Sequence, residues 1–152
     1  MSQIVSLKDV ADALEAVSDT LQAFLVCDTG EVLMVTEGDL ANLENEEDED
    51  MPEWQREHVA QLRKIFDSDQ VFALPTSFDI HAWSIMEQFS QSLPASIVQG
   101  QLLQAIHGRG AFRMFRILCE ENGLLKDWYS FRRGVMEDLA RKWLEANGVP
   151  YK

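Results

Sequence analysis

The sequence is poor in the features that announce chemistry. Cys27 and Cys119 are its only cysteines in 152 residues. They lie far apart inside apolar runs with no Cys-x-x-Cys pair, which excludes a disulfide framework and fits a reducing compartment. No stretch approaches the ~20 consecutive apolar residues of a membrane-spanning helix. The opening, MSQIVSLKDV, has neither the basic nor the apolar region of a secretory leader. The expectation is a cytoplasmic protein, neither exported nor embedded.

Positive charge is also scarce: 13 Lys and Arg stand against 26 Asp and Glu, a net charge of −13. The deficit is concentrated. Residues 1–79 carry 19 acids and 4 bases, whereas residues 80–152 carry 7 acids and 9 bases. Counterion-driven binding to nucleic acid or to an anionic bilayer is therefore disfavoured, and only the C-terminal half can face an anion.

Catalytic and cofactor patterns are missing as well. There is no G-x-G-x-x-G, no phosphate loop with its lysine, no G-x-S-x-G elbow and no H-E-x-x-H. His58, His81 and His107 belong to three different expected helices and read as packing or surface residues rather than metal ligands. Cys119 falls on an apolar helix face, where an inert thiol is expected. With 26 carboxylates, no single pair stands out. No catalytic, cofactor-binding or metal residue is assigned, and the enzyme reading has nothing to stand on.

What is present describes a globular fold. A 152-residue chain that is 46% hydrophobic and 26% charged is one ordinary domain. Ser6 opens SLKDVADALEAV in an S-x-x-D pattern, with Leu7, Val10, Ala11, Leu14 and Val17 at helical spacing. LQAFLVCD and EVLMVTE flank Thr29 and Gly30, predicting strands over about 21–28 and 31–36 joined by a hairpin. Residues 38–53 are expected to form an acidic flexible loop. Calcium binding there fails on spacing, because no glycine lies within 44–53.

Pro52 and Glu53 start a helix with Trp54, His58, Leu62, Ile65 and Phe66 on one face. QVFALP predicts a third strand. The remainder reads as about four helices. Asp79 or Ser77 caps the first, with Ala82, Ile85, Met86, Phe89 and Leu93 on its apolar face. Pro94 opens the second, carrying Ile97, Val98, Leu102, Ala105 and Ile106. The last two span roughly 109–122 and 125–147, each stopped by an Asn-Gly pair. The fold class is α+β: a small antiparallel sheet of about three strands with a helical C-terminal half, in a single domain over 1–152.

The blocks DTGEVL, LPTSFDIHAWSIMEQF, GRGAFRMF and WYSFRRGVMEDLARKWLEANGV occur in this order between about Leu7 and Val149. Together they resemble a bacterial family, the uncharacterised protein family 0158 of the UPF series. The resemblance implies a bacterial cytoplasmic protein and brings no catalytic or ligand residues with it. This chain departs from it in a longer acidic insertion between the hairpin and the third strand.

The segment HGRGAFRMFR concentrates what cationic character there is. On a helix, Arg109, Arg113 and Arg116 fall within about 60° of one another, with Glu120 one turn on. Phe112, Phe115, Leu118 and Cys119 take the opposite face. The stripe reads as an exposed polar face, with Arg116 and Glu120 as a weak pair, or as a row of donors for carboxylates or phosphates. Arg133, Glu137, Arg141 and Glu145 step by four in alternating sign, the pattern of a solvated face.

Arg132 instead sits among Trp128, Val135, Leu139 and Trp143, where a guanidinium needs a partner; Asp79, Glu87 and Asp127 are the candidate acids. The expectation is that these arginines face acids of their own chain first and an outside partner second. The favoured function is a non-catalytic interaction or regulatory module. Its candidate contact or ion-pair residues are Arg109, Arg113, Arg116, Trp128, Tyr129 and Arg132, since Trp, Tyr and Arg are favoured interface anchors. The alternative is a nucleic-acid-associated protein using the Arg109, Arg113 and Arg116 ridge on phosphates.

Overall fold

The computed structural model describes residues 4–44, 52–108 and 110–152. Its elements run in the order α1 (Leu7–Ala16), β1 (Leu21–Val26), β2 (Glu31–Thr36), α2 (Glu37–Glu44), α3 (Glu53–Phe66), β3 (Val71–Ala73), α4 (Ser77–Ile80), α5 (Ala82–Ser92), α6 (Ile97–Ala105), α7 (Ala111–Glu121) and α8 (Leu125–Ala146). The α+β class holds. Contacts divide the chain into two compact units, residues 1–80 with 139–152 and residues 81–138, where the sequence reads as one domain.

The first unit contains the sheet. Its strand order is β2-β1-β3, all antiparallel, with β1 in the middle. Ala23, Phe24, Leu25 and Val26 of β1 are buried, as a central strand requires. The hairpin is shorter than LQAFLVCD suggests. Val26 pairs with Glu31, so Cys27, Asp28, Thr29 and Gly30 form a four-residue turn, closed by the Gly30 N–H donating to the Val26 carbonyl at 2.8 Å. Gly30 takes φ +74°, which a side chain resists.

α1 starts as its sequence predicts: the Ser6 hydroxyl accepts from the Asp9 N–H at 3.2 Å, and Val10, Ala11, Ala13 and Leu14 are buried. Phe24 and Phe66 meet edge to face, ring centres 4.9 Å apart.

The expected acidic loop over 38–53 is corrected at its start, because residues 37–44 are helical; residues 45–51 lie outside the described residues. The reason is local. The Asp39 N–H donates to the Thr36 Oγ1 at 3.1 Å while the Thr36 N–H donates to Asp39 Oδ2 at 3.3 Å, a reciprocal cap that pins the first turn of α2 to the end of β2. Asp39 Oδ1 also lies 3.4 Å from His58 Nε2 on α3, and the Arg63 guanidinium donates to the Asn42 carbonyl at 3.1 Å.

The bonds from Thr36 and the His58 contact together outweigh desolvation and hold the Asp39 carboxyl below its usual range. A group depressed in the folded state stabilises the fold above its unfolded pKa, and that stability is lost as pH falls through the folded value. Asp39→Asn should therefore lower the unfolding midpoint at pH 7 and flatten the acid limb of the stability profile below about pH 4. Urea titrations across pH check it. Thr36→Ala should cost about 1 kcal/mol by the same cap.

The face expected of α3 holds over its second half, where Leu62 is buried and Ile65 and Phe66 are half-buried, and shifts over its first. Val59 and Leu62 are buried, whereas Trp54 is 71% exposed and His58 is turned to Asp39. Val59 lies three residues before Leu62 on the same side of the helix, which brings it into the core in place of Trp54 and His58. At the C-terminus, the Val5 N–H donates to the Pro150 carbonyl and the Lys152 N–H to the Val5 carbonyl, both at 3.0 Å, clipping the last residues against the segment before α1.

The second unit is helical: α5, α6, α7 and residues 125–138 of α8. The helix expected to run from about 79 to 93 is broken at His81, which holds φ +52° and separates α4 from α5. Such a conformation costs a non-glycine residue roughly 1 kcal/mol, although His tolerates it better than most. The cap of α4 is Thr76, whose Oγ1 accepts from the Asp79 N–H at 3.3 Å while Asp79 Oδ2 accepts from Thr76 at 3.0 Å.

α6 likewise starts later than Pro94 suggests, at Ile97, because the Ser96 hydroxyl accepts from the Gln99 N–H at 3.2 Å. The two Asn-Gly stops behave as the sequence predicts. The Leu124 N–H reaches the Cys119 carbonyl at 2.7 Å and the Gly123 N–H the Glu120 carbonyl at 3.3 Å, a Schellman closure repeated by Val149 and Gly148 on Leu144 and Glu145. Gly123 holds φ +68° in open space, so Gly123→Ala has no clash and a purely conformational cost. We expect about 1 kcal/mol by urea unfolding.

Candidate functional site

α7 begins from Gly110 at φ +67° and buries Phe115 and Cys119. α8 brings Trp128 against the same core. Phe115 and Trp128 meet edge to face at 4.9 Å, and Phe89 of α5 stands 5.4 Å from Trp128, 6.2 Å from Phe115 and 5.5 Å from Phe131. Such ring pairs add about 0.5–1.5 kcal/mol each beyond burial. Above these rings opens a cleft of about 260 Å³ lined from three helices. Ala82, Ile85 and Met86 come from α5, Phe112, Phe115 and Arg116 from α7, and Trp128, Tyr129 and Arg132 from α8.

Four residues singled out from the sequence, Arg116, Trp128, Tyr129 and Arg132, thus meet at one cleft. Trp128 is a floor residue, 9% exposed, while Tyr129 and Arg116 stand at the surface. Arg113 is exposed on α7 and does not line the cleft, and Arg109 lies outside the described residues.

The expected pairing of these arginines with internal acids is corrected in part. Among the described residues neither Arg113 nor Arg116 makes an ion pair or hydrogen bond, and the Arg116–Glu120 pair does not form. The sum is physical: an exposed i,i+4 pair is worth only a few tenths of a kcal/mol, too little to hold two long side chains. Arg132 is half-buried and has an interaction of its own, as the expectation requires of a guanidinium on the apolar side. The solvated ladder on α8 is present at its first rung, Arg133 Nε donating to Glu137 Oε1 at 3.0 Å.

Phe112 is the residue the periodic reading misplaced. Assigned to the apolar interior with Phe115, it is 63% exposed at the mouth of the cleft. α5 supplies the other unforeseen lining, Ala82, Ile85 and Met86; their core spacing was legible, but not that part of that face is left open. Beside the cleft, the Trp83 indole N–H donates to the Ile106 carbonyl at 2.8 Å, and its ring meets His107 edge-on at 5.6 Å.

Burial pushes the Cys119 thiol up to about 11, and burial with the nearby Asp28 charge also raises Cys27. Both thiols are free and buried. A disulfide-exchange reagent at pH 8 should titrate neither thiol in the native protein within minutes and both in denaturant; a fast native thiol would contradict this placement.

Among the described residues no group of three or more His, Cys, Asp or Glu side chains is placed to hold a metal ion, and no helix is long and apolar enough to cross a membrane. The helical unit carries six acids and six bases, so the entire net charge of −13 belongs to the sheet unit. No protein-family model, curated protein or solved structure matches the chain.

Proposed function

We propose that the chain is a non-catalytic interaction module of the bacterial cytoplasm, allied to the family 0158 it resembles, and that its helical unit docks an acidic or aromatic segment of a protein partner. The observation that carries this reading is the convergence of Arg116, Trp128, Tyr129 and Arg132 on one aromatic-floored cleft. Trp, Tyr and Arg in a partly desolvated hollow are the residues on which interfaces concentrate their binding energy.

Arg116 supports the reading further, because a guanidinium without a carboxylate partner among the described residues can offer its planar donors to an incoming one. The neutral balance of this unit lets an acidic segment approach without the repulsion that the sheet unit would impose. Affinity capture from the native cytoplasm tests it. Partners retained by the wild-type chain should be lost from Arg116→Glu and from Phe112→Ala, and unchanged capture by both variants would contradict the reading.

The nucleic-acid alternative uses the Arg109, Arg113 and Arg116 ridge, of which Arg113 and Arg116 have no partner among the described residues. It requires a DNA or RNA shift at low salt that collapses steeply as salt rises.

A further inference from the structure

We propose that the occupant of the cleft is a chain end: the C-terminal residue of a partner protein, its bulky apolar side chain on the ring floor and its α-carboxylate on Arg116. This rests on the docking reading above and narrows it to one kind of ligand.

The composition of the lining argues for an anion with an apolar body. In a chain whose acids outnumber its bases two to one, the cleft is lined by two guanidiniums, a phenol and six apolar residues, with no acid. The other hollows differ. One is walled by Asp9, Asp12 and Glu31, and another sets Glu137 beside Lys126 and Arg133. This cleft sets Arg116, which has no partner among the described residues, beside an aromatic floor. Arg116 makes no ion pair or hydrogen bond among the described residues, so a carboxylate can take its donors without displacing an internal partner.

Size and hydrogen bonding favour an end over the middle of a chain. A volume of about 260 Å³ is just below the ~300–1,000 Å³ of ordinary small-ligand pockets, room for one large residue and not for a helix or strand. An internal residue would bring two peptide groups, each with an N–H to satisfy, into a hollow whose side-chain acceptors come down to the Tyr129 hydroxyl. A terminal residue brings one N–H and two charged acceptor oxygens, the complement of the donors present. Arg116 and Tyr129 stand on α7 and α8, whose facing rings Phe115 and Trp128 are buried, so the backbone that carries them is already set and only their side chains have to be ordered.

Isothermal calorimetry on the full chain decides between occupants. The probes are an acetylated tetrapeptide ending in phenylalanine with a free carboxylate, its C-terminal amide, a peptide capped at both ends with an internal Phe-Glu pair, and acetyl-phenylalanine alone. The free-carboxylate tetrapeptide should bind at least about tenfold more tightly than its amide. Arg116→Gln should abolish that preference while leaving the urea midpoint where it was.

Equal or tighter binding of the amide or of the capped Phe-Glu peptide would overturn the chain end while leaving partner docking standing. Acetyl-phenylalanine binding as tightly as the tetrapeptide would assign the cleft to free small carboxylates, and would overturn it too. Absence of binding by every probe at millimolar concentration overturns the chain end. If Arg116→Glu also keeps every captured partner, the docking reading falls with it.

Discussion

Phe115→Ala should destabilise the protein by about 3–5 kcal/mol, the range for deleting a buried phenylalanine where neighbours relax only in part. Phe115 is 1% exposed and its ring is fixed on two sides, by Trp128 at 4.9 Å and by Phe89 at 6.2 Å. Removing it leaves both neighbours facing a void and takes away the floor of the cleft. A loss of this size is a large fraction of the ~5–15 kcal/mol that holds an ordinary domain. Phe112→Ala, three residues earlier on α7, provides the contrast. At 63% exposure it should change stability by no more than about 0.5 kcal/mol while weakening capture. Urea unfolding followed by tryptophan fluorescence measures both, and a Phe112→Ala penalty equal to that of Phe115→Ala would show that the cleft mouth is closed in solution.

Arg116→Glu should reduce binding of an acidic or carboxylate-terminated partner by roughly 10- to 100-fold and leave stability unchanged within about 0.5 kcal/mol. The two halves of this expectation have one cause. Arg116 makes no ion pair among the described residues, so none of them depends on its charge. An incoming carboxylate would lose a charge-assisted hydrogen bond, worth about 1.5–3 kcal/mol, and meet repulsion in its place. Arg133→Glu serves as the control. It removes the 3.0 Å bond to Glu137 on the solvated ladder and should leave binding untouched. Calorimetry at two ionic strengths would show whether the wild-type affinity carries the modest salt dependence of a single ion pair.

Much of this architecture was legible because local chemistry and tertiary demand agree. Ser6 caps α1, the apolar pair of strands forms the hairpin, and both Asn-Gly pairs close their helices, each through a short-range mechanism written within a few residues. The failures lie where a second contact, distant in sequence or hidden in a turn, overrode the pattern. Thr36 and Asp39 turn the beginning of an acidic stretch into a helix that α3 then holds through His58. His81 interrupts an unbroken helical period by a left-handed backbone that residue type alone does not reveal.

At the site, identity was legible and partition was not. Periodicity groups Phe112 with Phe115, yet one stands at the mouth and the other in the core, because the difference depends on where α5 and α8 run across α7. Charge spacing similarly proposes Arg116 with Glu120, while side-chain entropy leaves them apart.

The account depends above all on the cleft between α5, α7 and α8 being the surface a partner touches. Site-specific photo-cross-linking in the native cytoplasm reads this directly, with a benzophenone side chain placed at Phe112 and, as a control on the sheet unit, at Trp54. Cross-links to a discrete protein from position 112, lost when Arg116→Glu is added and absent from position 54, are the predicted result. Cross-links from position 54 alone, or from position 112 regardless of the Arg116 substitution, would contradict it.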